Sequence, residues 1–259
     1  MTAARAKATP DVGWPRQLAR LLALLLLCVV ALQITFALRI LLMNAVDPQS
    51  TAFQRSEAWR LLGEDGRLRW RQEWVDDARL SVHLKRAVIA SEDSAFASHG
   101  GVDWESVEKA WERNQRAEAR AQRQQAGRPP GARKVEPKVI GGSTITQQLA
   151  KNLFLSGERT ALRKGQEFAL TLMLEGLLSK RRMLEIYLNS VEWGEGVFGA
   201  QAAARHYFRT DAARLGPEQA ARLAVMLPAP KRFEKLPGSP YMAARAATIG
   251  ARMGAVELP

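Results

Sequence analysis

"GGSTITQQLAKN", Gly141 to Asn152, is the stretch that decides how this chain folds. Two glycines permit a tight entry, and Ser143 or Thr144 can cap the helix that follows. At helical spacing Ile145, Leu149 and Leu153 share one face, fit for packing. Thr144, Gln148 and Lys151 share another, which offers hydrogen bonds and one cation. Spacing alone describes an ordinary capped amphipathic helix. The density of polar side chains beside one lysine also suits a site that holds a sugar or a phosphate.

Outward from this helix the 3.6-residue period continues. It predicts helices at 143–155, 161–180, 182–190, 197–208, 217–227 and 240–254, with no internal repeat and no series of βαβ units. The fold class is therefore mainly α. Upstream, Leu84, Val88, Glu92 and Phe96 form an i, i+4 ladder. Glu92 interrupts its apolar face, and a carboxylate there is costly unless paired or used. Partial burial would raise its pKa and make it a better general base. His99 lies on the same side and by default is structural. His83, His99 and His206 are the only histidines and show no metal-ligand spacing.

Downstream, Arg159, Arg163 and Glu167 repeat every four residues in "ERTALRKGQE". The simple reading is surface ion pairing worth ~0.3–0.5 kcal/mol. Glu167 also begins the apolar face that runs through Leu170 and Leu174, so an acid flanked by bases could serve an anionic substrate. "GEGVFG", Gly194 to Gly199, matches G-x-G-x-x-G but lacks the βαβ setting that nucleotide binding requires. It reads as a loop after a helix. Residues 112–138 carry eight bases against three acids; the first half can extend a helix, glycines and prolines end it, and the segment reads as a mobile, solvated basic insertion.

The N-terminal region has a different character. Leu21 to Leu38 contains no charge, and eighteen helical residues span ~27 Å, close to the hydrocarbon core of a bilayer. Arg5, Lys7, Arg16 and Arg20 precede it, and no Lys or Arg lies between Met43 and Arg55. The positive-inside rule then keeps the N-terminus cytoplasmic and exports the rest. The organisation expected is a tail at 1–20, a transmembrane anchor at 21–43, a juxtamembrane segment with some strand at 44–79, and a periplasmic domain at 80–259. Net charge is +12, which attracts polyanions or anionic headgroups. Cys28 is the single cysteine, so no disulfide forms within the chain.

Five stretches in one order carry a resemblance: "EDSAFASHGG", "GGSTITQQLAKN", "RKGQE", "KRRMLEIYLNSVEWGEGVFGAQAAARHYF" and "ARLAVMLPAPKRF". Together they resemble the five motifs of the lysozyme-like peptidoglycan glycosyltransferases, family 51. No S-x-x-K with K-T-G arrangement follows, so the likeness is to monofunctional members. The resemblance implies a bilobal domain that polymerises glycan chains from lipid II. The GlcNAc 4-hydroxyl of one lipid II would attack the anomeric carbon of a growing lipid-linked glycan, with inversion and loss of undecaprenyl diphosphate.

The resemblance also implies roles. Glu92 corresponds to the general base and Glu167 to the second essential acid. Lys151, Arg159, Arg163 and Lys164 would surround the diphosphate. Ser143, Thr144, Gln147, Gln148 and Asn152 would form a polar wall, and Asp93, Phe96 and His99 would support the base and the substrate. Glu185, Tyr187 and Asn189 look like scaffold. A divalent cation, magnesium or manganese, is allowed; no organic cofactor is expected. The partners implied are lipid II, the growing glycan, membrane lipids and cell-wall synthesis or division proteins, with no nucleic acid. One departure is Gln166, where some members carry a lysine. A lytic lysozyme-type hydrolase and a membrane-tethered basic binding protein are the rival readings.

Overall fold

The computed structural model describes residues 14–129, 141–158 and 160–259. Helix α1, Trp14–Leu42, has 29 residues and is long and apolar enough to cross a membrane by length and composition. Its first nineteen residues, 14–32, are all exposed; a face begins to be covered only at Gln33, and Ile40 is fully buried. The predicted tail falls, for residues 1–13, outside the described residues.

The juxtamembrane segment holds a helix, and its strand character is one isolated parallel bridge between Arg71 and Val197. In α2, Ala52–Asp65, a capping box forms: Gln54 N–H donates to Thr51 Oγ1 at 3.0 Å, and Thr51 N–H donates to Gln54 Oε1 at 2.8 Å. Gln54 Nε2 also donates to the Ser190 carbonyl at 3.0 Å, so this helix is tied to the body of the protein.

The body is a set of packed helices: α3 Val82–Glu92, α4 Trp104–Ala126, α5 Ile145–Phe154, α6 Ala161–Leu177 and α7 Lys180–Ser190. After them come α8 Ala200–Phe208, α9 Pro217–Met226, α10 Pro230–Phe233 and α11 Pro240–Arg252. Helix α3 packs on α9 and α11, while α5 packs on α6 and α7. One continuous core joins both groups. The ladder residues Leu84, Val88 and Phe96 are fully buried in it, as are Ile145 and Leu149, with Leu153 almost so. Truncating any one of these large side chains to alanine would cost ~2–5 kcal/mol.

Between α7 and α8 lies a short antiparallel hairpin, β1 Glu192–Gly194 and β2 Val197–Phe198, with Glu192 opposite Phe198. The "GEGVFG" stretch is therefore a hairpin turn, and helix α8 starts at Ala200 instead of residue 197. Gly196 has φ +71° and a Cβ there would sit 2.2 Å from the Arg69 carbonyl oxygen. Gly199 has φ +78° and faces the Asn189 carbonyl oxygen at 2.6 Å. Both positions exclude a side chain through close backbone approach and left-handed φ. The predicted basic insertion is helical through Ala126, as the long second half of α4. Its remainder at 130–138 lies outside the described residues.

Candidate active site

Glu92 is the last residue of α3 and sits half-buried at the head of a groove. Gln148 Nε2 donates to its Oε2 at 2.9 Å, and Ser91 Oγ donates to Oε1 at 3.3 Å. Burial raises the Glu92 pKa; the two hydrogen bonds and the charge of Arg245 oppose that rise, and the charge of Asp93 adds to it. The result is a carboxylate with an enhanced appetite for a proton that still opens to solvent.

Behind Glu92, Asp93 forms a seam between two segments. Its Oδ2 accepts the Ile145 N–H at the start of α5 at 3.0 Å, and its Oδ1 accepts from His99 Nε2 at 2.8 Å. The Gly101 N–H donates to His99 Nδ1 at 3.1 Å, which leaves Nε2 as the donor to Asp93. Burial raises the Asp93 pKa, against these hydrogen bonds. Thr144 completes the seam: its hydroxyl donates to the Gly101 carbonyl at 2.6 Å and accepts the Gln147 N–H.

Tyr187 belongs to this site. It is fully buried on α7, and its hydroxyl donates to Gln148 Oε1 at 2.9 Å. Burial, then the charges of Glu92 and Asp93, hold its pKa well above the usual phenol value, so it stays a donor. With Oε1 occupied, the amide of Gln148 must turn its NH2 toward Glu92. The scaffold role fits Glu185 and Asn189, which bind the backbone of Asp77 and Val75. It is incomplete for Tyr187. A buried phenol requires a partner, and that was the available signal; the partner's identity was not.

The groove has two adjoining chambers. One, of about 240 Å³, is polar and includes Glu92, Asp93, Ser143 and Thr144, with Arg113 and Arg252 at its sides. The other, of about 450 Å³, is mostly apolar and includes Trp104, Trp111 and Phe168, with Gln147 and Lys164. Gly142, Ser143 and Ala110 line both. A Cβ on Gly142 would lie 3.3 Å from Ala110 and from the backbone of α4, so that glycine lets the two walls close up. A larger cleft of about 600 Å³ between α9 and α11 contains none of the predicted residues. Its only ionisable lining groups are Glu218 and Arg222, which supply no buried base.

Glu167 is buried on α6 and grips two cations: Arg163 Nη1 donates to Oε2 at 2.8 Å, and Lys164 Nζ donates to Oε1. Lys151, one residue from Asn152 on α5, completes the cluster. Desolvation lowers its pKa, Glu167 raises it, and Arg163 and Lys164 lower it further. Asn152 is partly buried and Ser143 is exposed on the groove rim. Arg159 lies outside the described residues.

Two residues expected near the substrate, Phe96 as support and Gln147 in the polar wall, have other engagements. Phe96 is fully buried, edge-on to His99 with the Lys180 ammonium 4.6 Å from its ring centre, so it supports the groove from behind and cannot touch a substrate. The amide of Gln147 is committed to the Thr144 capping box, its Oε1 accepting the Thr144 N–H at 3.1 Å. Phe96 lies past the end of α3, in the turn that follows it, and packs inward as part of the core.

With this geometry in hand, comparison with known proteins defines the class. The transglycosylase family model matches residues 62–128 and 130–254, so the chain belongs to the transglycosylase family, whose domain is lysozyme-like. Among curated relatives, the biosynthetic peptidoglycan transglycosylase of Burkholderia pseudomallei (strain K96243) is 52% identical over 229 residues, 88% of this chain and 82% of that protein. That of Burkholderia orbicola (strain MC0-3) is 51% identical over 229 residues, 88% of this chain and 86% of its own. That of Paraburkholderia xenovorans (strain LB400) is 47% identical over 261 residues and covers both chains completely.

Proposed function

We propose that the groove joins lipid II to a growing lipid-linked glycan, with Glu92 as the base. The chain is a peptidoglycan glycosyltransferase, and its activity is glycan-chain polymerisation. The observation that carries the finer reading is Glu92 itself. It is a solvent-reachable carboxylate of raised pKa, oriented by Gln148, in a groove that leads past Ser143 to Lys164.

In the proposed step the Glu92 carboxylate takes the proton of the acceptor's GlcNAc 4-hydroxyl as its oxygen bonds to the donor's anomeric carbon. The bond from that carbon to the lipid diphosphate breaks with inversion, and the diphosphate leaves with the electron pair. Lys151, Arg163 and Lys164 offset the charge that develops on it. Glu167 holds two of these cations in place and keeps their net charge low before the substrate arrives. A diphosphate leaves readily, so one base and a cationic cradle suffice. The apolar chamber with Trp104, Trp111 and Phe168 suits the first carbons of a lipid chain.

Helix α1 anchors the chain in the bacterial inner membrane, with Arg16 and Arg20 on the cytoplasmic side and the domain in the periplasm. Among the described residues no three His, Cys, Asp or Glu side chains converge on a metal site. Both Glu167 oxygens are engaged by cations as well. Among the described residues a divalent cation would therefore meet no protein cage, and it would enter on the substrate's diphosphate.

The test is polymerisation of labelled lipid II by the full chain in detergent, beside Glu92→Gln. Glycan from the wild type and almost none from a folded Glu92→Gln is expected. Equal polymer from both would remove Glu92 as the base, and none from an intact wild type would remove lipid II as the substrate.

A further inference from the structure

Gln33 and Gln166 lie 133 positions apart and meet through a reciprocal amide pair. Gln33 Nε2 donates to Gln166 Oε1 at 2.9 Å, and Gln166 Nε2 donates to Gln33 Oε1 at 3.0 Å. Gln33 sits within the apolar run of α1, and Gln166 immediately precedes Glu167 on α6. A primary amide in hydrocarbon must find a partner, since no water is there to replace one. These two satisfy each other in the one arrangement that uses a donor and an acceptor from both.

The pair stands at the top of a continuous docking face. Along α1 the covered positions are Gln33, Phe36, Ala37, Ile40 and, just past its end, Met43, at spacings of one to four residues that keep them on one side. Phe36 packs edge-on to Phe154 with ring centres 5.3 Å apart, and the Arg39 guanidinium lies 5.1 Å from the same ring. Below them Arg182 donates to the Met43 carbonyl at 2.7 Å and pairs with Asp47 at 2.6 Å. Six residues separate Gln33 from Arg39, which places Gln33 ~9 Å deeper along the helix axis than the interfacial arginine. Helix α6 is thereby brought to the level of the acyl chains at Gln166. Its neighbouring residues suit that level: Leu162 is 86% exposed, and Phe168 and Leu172 are also exposed.

We infer that the Gln33–Gln166 amide pair is a clasp that sets the depth of the Arg163–Lys164–Glu167 cluster relative to the membrane. Gln33 and Gln166 are positioning residues: neither reaches the reacting atoms, but the clasp holds the cluster where a lipid-borne diphosphate emerges from the bilayer. This inference rests on the proposed lipid-linked substrate. Loosening the clasp lets α6 ride up, so capture of substrate weakens while the chemistry of bound substrate persists.

The experiment uses the full chain in proteoliposomes. Gln33→Leu and Gln166→Leu are each expected to raise KM for lipid II ~3- to 10-fold, the range for losing an interhelical hydrogen-bonded pair in a membrane, with kcat within about twofold. The double variant is expected to be no worse than the poorer single one, because the pair is lost once. In a Cys28→Ser background, Gln33→Cys with Gln166→Cys is expected to link through a short bifunctional thiol reagent and to keep the KM of the unlinked pair or better it. A wild-type KM in both leucine variants, additive losses, or failure to link would overturn the clasp. A wild type that makes no polymer would refute the proposed substrate, whereas the cross-link reads the clasp independently of activity.

Discussion

Tyr187→Phe removes one oxygen atom from the interior and should move the pH profile of polymerisation. The hydroxyl donates to Gln148 Oε1 at 2.9 Å, and Gln148 Nε2 donates in turn to Glu92 Oε2 at 2.9 Å. Without the phenol one of the two groups that orient the amide is gone; only the Glu92 carboxylate still selects its NH2, and that hydrogen bond is held less firmly. The bond from Gln148 lowers the Glu92 pKa. A hydrogen bond to a charged group is worth ~1.5–3 kcal/mol, or about one to two pH units at ~1.4 kcal/mol each. Partial loss should therefore raise the Glu92 pKa by about one unit. The base acts as carboxylate, so the acidic limb of kcat/KM moves to higher pH by that amount. On the limb this costs about tenfold in rate, whereas the plateau above it stays close to wild type. Initial rates of glycan formation from labelled lipid II between pH 5 and 9 measure it. An unmoved limb, or a loss equal at every pH, would refute the coupling of Tyr187 to Glu92 through Gln148.

Three further outcomes follow from the same geometry. Glu167→Gln should lower kcat/KM by at least ~100-fold by undoing the ordered cations. Because Glu167 raises the Lys151 pKa, its loss should also shift the alkaline limb to lower pH, and an unmoved limb would separate Lys151 from that charge. Glu192 is buried near Glu57, and its carboxyl is raised from 4.5 to about 7, chiefly by burial. The folded chain thus holds a proton there that the unfolded chain releases, so stability falls by up to ~3 kcal/mol as pH rises through that window. Glu192→Gln should melt near wild type at pH 4.5 and higher than wild type at pH 8; matching melting temperatures at both would contradict this.

What the sequence disclosed followed local periodicity. The α5 helix was legible from end to end, because its cap, its Thr144–Gln147 box and its Ile145, Leu149 and Leu153 stripe are all spelled within ten residues. Glu92 stood out for a related reason: a carboxylate breaks an otherwise apolar ladder. Helix α2 escaped notice although Thr51 and Gln54 form the same kind of box, because Leu61 is its only fully buried large apolar residue and leaves no stripe. The hairpin at 192–198 is too short to show alternation. Tyr187 looked like core because helical spacing reports burial but not the partner of a hydroxyl 39 residues away. The Gln33–Gln166 pair joins residues 133 positions apart and lies beyond any local pattern.

The seam through Asp93, Thr144 and Glu92 joins segments that are 43 to 56 positions apart in the chain. Such contacts form only after a long loop has closed, and loop closure opposes them until packing compensates. The enzyme therefore has no fragment that could be active early: a newly made chain with most of its helices in place still lacks an oriented base. Chemical competence therefore waits on tertiary closure and is not carried by the helices alone.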